Sequence, residues 1–175
     1  MTSKPEEVAS PEVVTGKVVL SPAVCAEIDL WVAKYPPEHK QSAVMAALRI
    51  AQDDNGGWLS AAHLDAVAEY LSMPATTVSE VATFYSMYDL APVGRHKVCV
   101  CTNISCMLRG SDEVMAHLTN RLGIEAGETT ADGRFTLKEV ECLGACVGAP
   151  AMQVGRTYHE RLTPERIDRI LDSLE

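Results

Sequence analysis

Two short-spaced cysteine pairs, Cys101-Thr-Asn-Ile-Ser-Cys106 and Cys142-Leu-Gly-Ala-Cys146, constrain this chain more than any other feature, because a long stretch of sequence separates them. If both pairs ligate one metal group, the intervening chain must leave a point and come back to it. A strand, a crossover helix and a second parallel strand do this. His96 to Cys101 is rich in Val and Cys in the manner of a strand. Val114, Leu118 and Leu122 then make a helical stripe over 112–122, and Phe135 to Glu141 reads as a second strand. Cys101 ends the first strand and Cys142 the second, so parallel pairing of neighbours brings the two pairs together.

The chemistry of that convergence is set by ligand number. Each tetrahedral iron of a 2Fe-2S cluster takes two protein thiolates, and a short loop lets two thiolates reach one metal with little closure entropy. The expected ligands are Cys101, Cys106, Cys142 and Cys146. Gly144 lets the backbone of the second loop approach closely, so that its amides can hydrogen-bond cluster sulfur. Structural zinc is the rival, but it favours two-residue knuckles, and neither gap here is two. Met1 to Ser10 lacks a basic region followed by an apolar one, so no secretory signal is visible and a reducing compartment is expected, which disfavours disulfides. A thioredoxin-type dithiol needs Cys-x-x-Cys, which is absent. Cys25 lies in a helical stretch and reads as a small packing residue. Cys99 stands inside the first strand, short of the loop, and is assigned to packing as well. The histidines at 39, 63, 96, 117 and 159 do not show Rieske spacing and are expected to be surface or capping groups.

The rest of the chain organises around this region as an α+β protein. Residues 1–20 read as a polar, mobile leader. Ser21-Pro22 opens a helix carrying Val24, Ile28 and Trp31, and Pro36-Pro37 stops it. A second helix is expected from Glu38 to Gln52, ended by Gly56-Gly57. A third follows, capped by Ser60, with Leu64, Val67, Ala68 and Leu71 inward. A fourth starts at Pro74, carrying Val78, Val81, Ala82 and Tyr85. Residues 21–91 therefore form a helical bundle, whose Trp31 and Tyr88 either pack within it or contribute to docking. The helical period ends at Leu90-Ala91-Pro92-Val93-Gly94, and residues 92–175 form the second domain. In this domain the two strands are followed by a hairpin, Ala151 to Val154 and Thr157 to Glu160 around Gly155-Arg156. Thr163 and Pro164 then start a last helix with Ile167, Ile170, Leu171 and Leu174 inward. The resulting order, β-α-β-β-β-α, is that of a thioredoxin-like domain.

Bulk properties exclude several functions. A net charge of −9 argues against nucleic acid, whose binding needs clustered Lys and Arg. Apolar runs such as Ala43 to Leu48 fall far short of the ~20 residues that span a bilayer, so no direct membrane insertion is expected. No Gly-x-Gly-x-x-Gly follows a strand, no phosphate loop appears, and no nucleophile–base set has recognisable spacing. No catalytic residue is assigned.

The stretches Glu80-Val-Ala-Thr-Phe-Tyr-Ser-Met-Tyr88 and Pro92-Val-Gly-Arg-His96, the first cysteine loop through Leu108-Arg-Gly110, Cys142 to Cys146 leading to Ala149-Pro150, and Gly57-Trp58 resemble the small 2Fe-2S subunit of NADH:quinone oxidoreductase (respiratory complex I, the bacterial NADH dehydrogenase I). The resemblance covers roughly residues 21 to 175. It implies a thioredoxin-like ferredoxin domain with one 2Fe-2S cluster on the four cysteines. It also implies a partner subunit that binds FMN and NADH, further subunits of the peripheral arm, and a cytoplasmic position at the inner face of the membrane, held there by the complex. Equivalent subunits of NAD-linked hydrogenases or formate dehydrogenases carry the same cluster motif and are the alternative, as is a non-redox, zinc-stabilised module. Cys99 is an extra cysteine relative to the family pattern.

Overall fold

The computed structural model describes residues 17–174, so most of the leader expected at residues 1–20 lies outside the described residues. They divide into two compact units, one ending at Pro92 and one beginning at Val93.

The first unit is helical. Helix α1, Pro22–Val32, starts where the Ser21 hydroxyl accepts the Val24 N–H at 3.2 Å, with proline in the first turn where a missing N–H costs nothing. It buries Val24 and Ile28 against α2 (Val44–Asp54), α3 (Ala61–Leu71) and α4 (Ala75–Phe84), which contribute Leu48, Ile50, Val67, Leu71, Val78 and Ala82 to one core. Full burial of such an aliphatic side chain contributes about 1.5–3 kcal/mol, which is what holds short helices that would not persist alone.

Two expectations for this unit are corrected. The second helix does not run from Glu38: Pro37–Ala43 forms a tighter 3-10 segment, and α-helix begins only at Val44. His39, at φ −115° and ψ 27°, interrupts the helical ladder, and the Lys40 ammonium donates to the Tyr70 carbonyl at the end of α3, where helix carbonyls lack internal partners. Tyr85 is likewise not carried by the fourth helix. That helix ends at Phe84, and Tyr85 turns into extended backbone with its side chain partly exposed. The inward place is taken by Tyr88, whose hydroxyl donates to the Met45 carbonyl at 2.8 Å, so Tyr88 belongs to the core and is not a docking residue. Buried Gln52 holds the same loop by donating to the Met87 carbonyl and accepting the Asp89 N–H.

The second unit is a four-stranded sheet in the order β2-β1-β3-β4, with β1 His96–Cys101, β2 Phe135–Val140, β3 Ala151–Val154 and β4 Thr157–Glu160. β1 and β2 are parallel, in register from His96 opposite Phe135 to Cys101 opposite Val140, and β3 and β4 add antiparallel. The crossover between β1 and β2 contains a one-turn helix α5, Ile104–Met107, and the longer α6, Ser111–Leu122; α7, Pro164–Asp172, closes the domain. Val98 and Val100 of β1, Leu137 of β2 and Met152 of β3 pack with Val114 and Leu118 of α6 and Ile167 and Leu171 of α7. The alternation of β1 sends Cys99 to the face opposite Val98 and Val100, where it is half-buried. His117 and Arg121 of α6 pair with Asp168 and Asp172 of α7 across that helix contact.

Candidate metal centre

The parallel ladder delivers the first thiol. Cys101 is the last residue of β1, and Thr102 continues the ladder by donating to the Val140 carbonyl at 3.1 Å, so the chain leaves the sheet at a defined place. Asn103 then caps α5: its side-chain oxygen accepts the Ile104 N–H at 2.9 Å, and its carbonyl accepts from Cys106 and Met107. A single capped turn returns Cys106 to the same buried side as Cys101, which a freely extended loop of that length would not do. Both thiols are almost completely buried, within a small cluster that includes Ala149 and Ala151.

The second pair follows β2. Cys142 lies two residues beyond the strand end, Gly144 takes φ +70°, and Cys146 opens a 3-10 turn, Cys146–Gly148. The positive φ is the conformation glycine adopts without steric cost, and it aims the Gly144 N–H at the Cys142 sulfur, 3.4 Å away. Cys142 and Cys146 are exposed, so the centre has a buried edge and a solvent edge.

The four thiols are all free. Cys101 is within hydrogen-bonding reach of both Cys106 and Cys142, and the Cys146 charge is felt at Cys106. Burial pushes the Cys101 thiol up, but the backbone amides of Leu143 and Asn103, with the Cys106 and Cys142 thiols, outweigh it and hold it below the ordinary thiol value. Burial raises Cys106, as does its hydrogen bond with Cys101, against an opposing contribution from the Ala151 amide. Of these two buried thiols, Cys101 is therefore the one held more readily as thiolate.

These residues fit a binuclear iron–sulfur group. Among the described residues no three His, Cys, Asp or Glu side chains converge as a single-ion site requires. Two thiolate pairs shared between two irons need no such convergence. The amides of Asn103, Leu143, Gly144 and Ala151 point at cysteine sulfur, the donor set that stabilises a negatively charged cluster. Of these donors only Gly144 carries a sequence signal, since an amide looks the same in every residue. Two of the histidines are engaged elsewhere: His63 caps α3, accepting the Ser60 N–H on Nδ1 at 3.3 Å, and His117 lies in the α6–α7 ion pairs.

A family profile, thioredoxin-like [2Fe-2S] ferredoxin, matches residues 28–175. The chain belongs to this family. Its members' cofactor, one 2Fe-2S cluster, is the group that the thiol pairs and their amide donors suit. A Rickettsia bellii protein, named as a subunit of NADH-quinone oxidoreductase, is 49% identical over 143 residues, spanning 82% of this chain and 86% of that protein. The Dictyostelium discoideum NADH dehydrogenase [ubiquinone] flavoprotein 2, mitochondrial, is 44% identical over 149 residues, 85% of this chain and 60% of its own length. Among solved structures, an NAD+-reducing [NiFe]-hydrogenase in the H2-reduced state aligns with TM-score 0.65 and 25% identity over 75% of this chain, which spans only 22% of that hydrogenase chain. The family inferred from the residues is the family found, and its thioredoxin-like fold is the one described above.

Proposed function

We propose that this chain is the electron-carrying 2Fe-2S subunit of an NADH:quinone oxidoreductase, with one cluster held by Cys101, Cys106, Cys142 and Cys146. The observation that carries the ligand assignment is the position of Cys101, within reach of Cys106 in its own loop and of Cys142 from the neighbouring strand end. When bound, the cluster supplies one-electron oxidation and reduction. The protein supplies position and potential: two thiolates from the buried edge, two from the solvent edge, and amides directed at sulfur. No side chain is needed as acid, base or nucleophile.

The relatives named as subunits of NADH-quinone oxidoreductase support a multi-subunit setting. The partner proposed here is the subunit that binds FMN and NADH. The apolar side chains beside the two cysteine pairs support docking at this edge: Val147 is 91% exposed, Leu108 77% and Ile104 66%. No helix of the described residues is long and apolar enough to cross a membrane, and attachment to the inner face through the complex is the proposed location. The resemblance to the hydrogenase supports the fold; relatives 44–49% identical favour the respiratory enzyme.

The test is anaerobic purification of the full chain, with visible and EPR spectra before and after dithionite. A reddish protein that becomes paramagnetic on reduction is the expected result. A colourless protein with stoichiometric zinc overturns the redox reading. Co-purification with the flavin subunit, lost on removing residues 1–90 or on replacing Leu108 and Val147 by Glu, tests the partner.

A further inference from the structure

Behind the second cysteine loop, Glu160 lies directly against Gly148. A side chain at position 148 would begin 2.0 Å from Glu160 Oε2, 2.3 Å from its carboxyl carbon and 2.6 Å from its Cβ, so the carboxylate fills the space that only glycine leaves open. The contact is stitched at both ends by backbone: the Arg161 N–H donates to the Gly148 carbonyl at 2.6 Å and the Leu162 N–H to the Pro150 carbonyl at 3.2 Å. Arg161 takes φ +50° to make that turn, a conformation uncommon for a non-glycine residue, so the end of β4 is bent onto the cysteine loop. Glu160 is half-buried, and among the described residues its carboxylate makes no ion pair. Gly148 stands two residues from Cys146 in the same 3-10 turn, which bounds their Cα separation at about 7.6 Å.

We infer that Glu160 is a positioning residue for charge, whose carboxylate, seated on Gly148, lowers the reduction potential of the group bound at Cys146 and its partner cysteines. The inference rests on the proposed cluster assignment. Taking up an electron beside a fixed, half-buried negative charge costs free energy that uptake in its absence does not. Seated on Gly148, the carboxylate lies within about 11 Å of the Cys146 Cα, on the order of one Debye length, where a half-buried charge is incompletely screened. The donors described above act in the opposite sense, through amide hydrogens on sulfur, so the two sides of the loop set the potential between them. Gly148 is what permits the approach. A larger residue there would drive the carboxylate out.

The experiment is an EPR-monitored redox titration of the full chain carrying its cluster. Glu160→Gln keeps the shape that covers Gly148 and removes only the charge. It should raise the midpoint, so that the reduced-to-oxidised ratio at the wild-type midpoint rises at least about threefold. Glu160→Asp, which keeps the charge, should stay closer to wild type than Gln, and the EPR line shape should be unchanged in both. A Gln midpoint equal to or below wild type overturns the inference while leaving the cluster assignment standing. So does a Gln variant that assembles no cluster, since that assigns Glu160 to loop structure. A wild-type chain that yields no iron–sulfur signal defeats the cluster assignment and, with it, this inference.

Discussion

Cys101 and Val140 are the last pair of the parallel β1–β2 ladder, and both cysteine loops start within two residues of that rung. One register therefore places both halves of the metal centre. Shifting it by a residue would turn the Cys101 thiol to the other face of the sheet and separate it from Cys142.

Ligation should couple to folding. Replacing Cys106 or Cys142 by Ser is expected to abolish the reduced-state EPR signal and to lower the thermal midpoint of the second unit, because thiolate–metal binding energy is also folding energy. Cys99→Ser should leave the signal intact, since Cys99 sits inside β1 opposite Lys138 and Gln153 and short of the loop. Loss of the spectrum in Cys99→Ser would reassign the ligands.

Gly94 should not tolerate even a methyl group. A Cβ there would lie 2.7 Å from the Phe135 carbonyl carbon and 2.9 Å from its nitrogen, and backbone within a sheet cannot yield as a side chain would. The Gly94 N–H also donates to the Thr136 hydroxyl at 2.6 Å. Gly94→Ala is expected to cost about 1–3 kcal/mol, read from urea unfolding.

His63 should make the helical unit sensitive to acid. Burial holds its imidazole below the ordinary value, with the Asp54 carboxylate acting weakly in the other direction. As pH falls, the unfolded chain takes the proton first. The stabilisation is thus complete above the ordinary imidazole value of 6.5 and is lost as pH drops through it toward the lower folded value. Structurally, Nδ1 accepts the Ser60 N–H, which a protonated nitrogen cannot do. His63→Gln keeps the reciprocal cap and should flatten the dependence of the urea midpoint between about pH 7.5 and 5. His63→Ala should cost about 0.5–1.5 kcal/mol at neutral pH.

Core truncation should separate inward from outward leucines. Leu137 of β2, fully buried in the core that includes Val114 and Leu118 of α6, is expected to lose about 2–5 kcal/mol as Leu137→Ala. Leu30, on the outer side of α1 at 69% exposure, should change stability by less than about 0.5 kcal/mol as Leu30→Ala. Equal losses at the two positions would contradict the packing described.

Much of this was legible in one dimension because it depends on local patterns. The cysteine spacing, the Ser21 and Thr163 caps with their following prolines, the stripes Val24/Ile28 and Ile167/Leu171, and the β3–β4 hairpin are short-range signals that survive in any tertiary setting. The start of α2 and the end of α4 were not legible, because Lys40 is drawn to a carbonyl on another helix and Tyr88 rather than Tyr85 fits the core, both long-range choices. The four-residue helix around Cys106 was missed for a related reason, being too short to have a period.

By itself the sequence determined the two short-spaced cysteine pairs and the strand–crossover–strand path that must join them. The tertiary structure decided what those loops meet: that the Cys101 thiol is held below and the Cys106 thiol above the ordinary value, which amides face sulfur, and that Glu160 lies on Gly148. The division is physical. Side-chain identity and periodicity are written along the chain, whereas backbone hydrogen-bond direction, burial and the distance between charges exist only once the register of the sheet has been chosen.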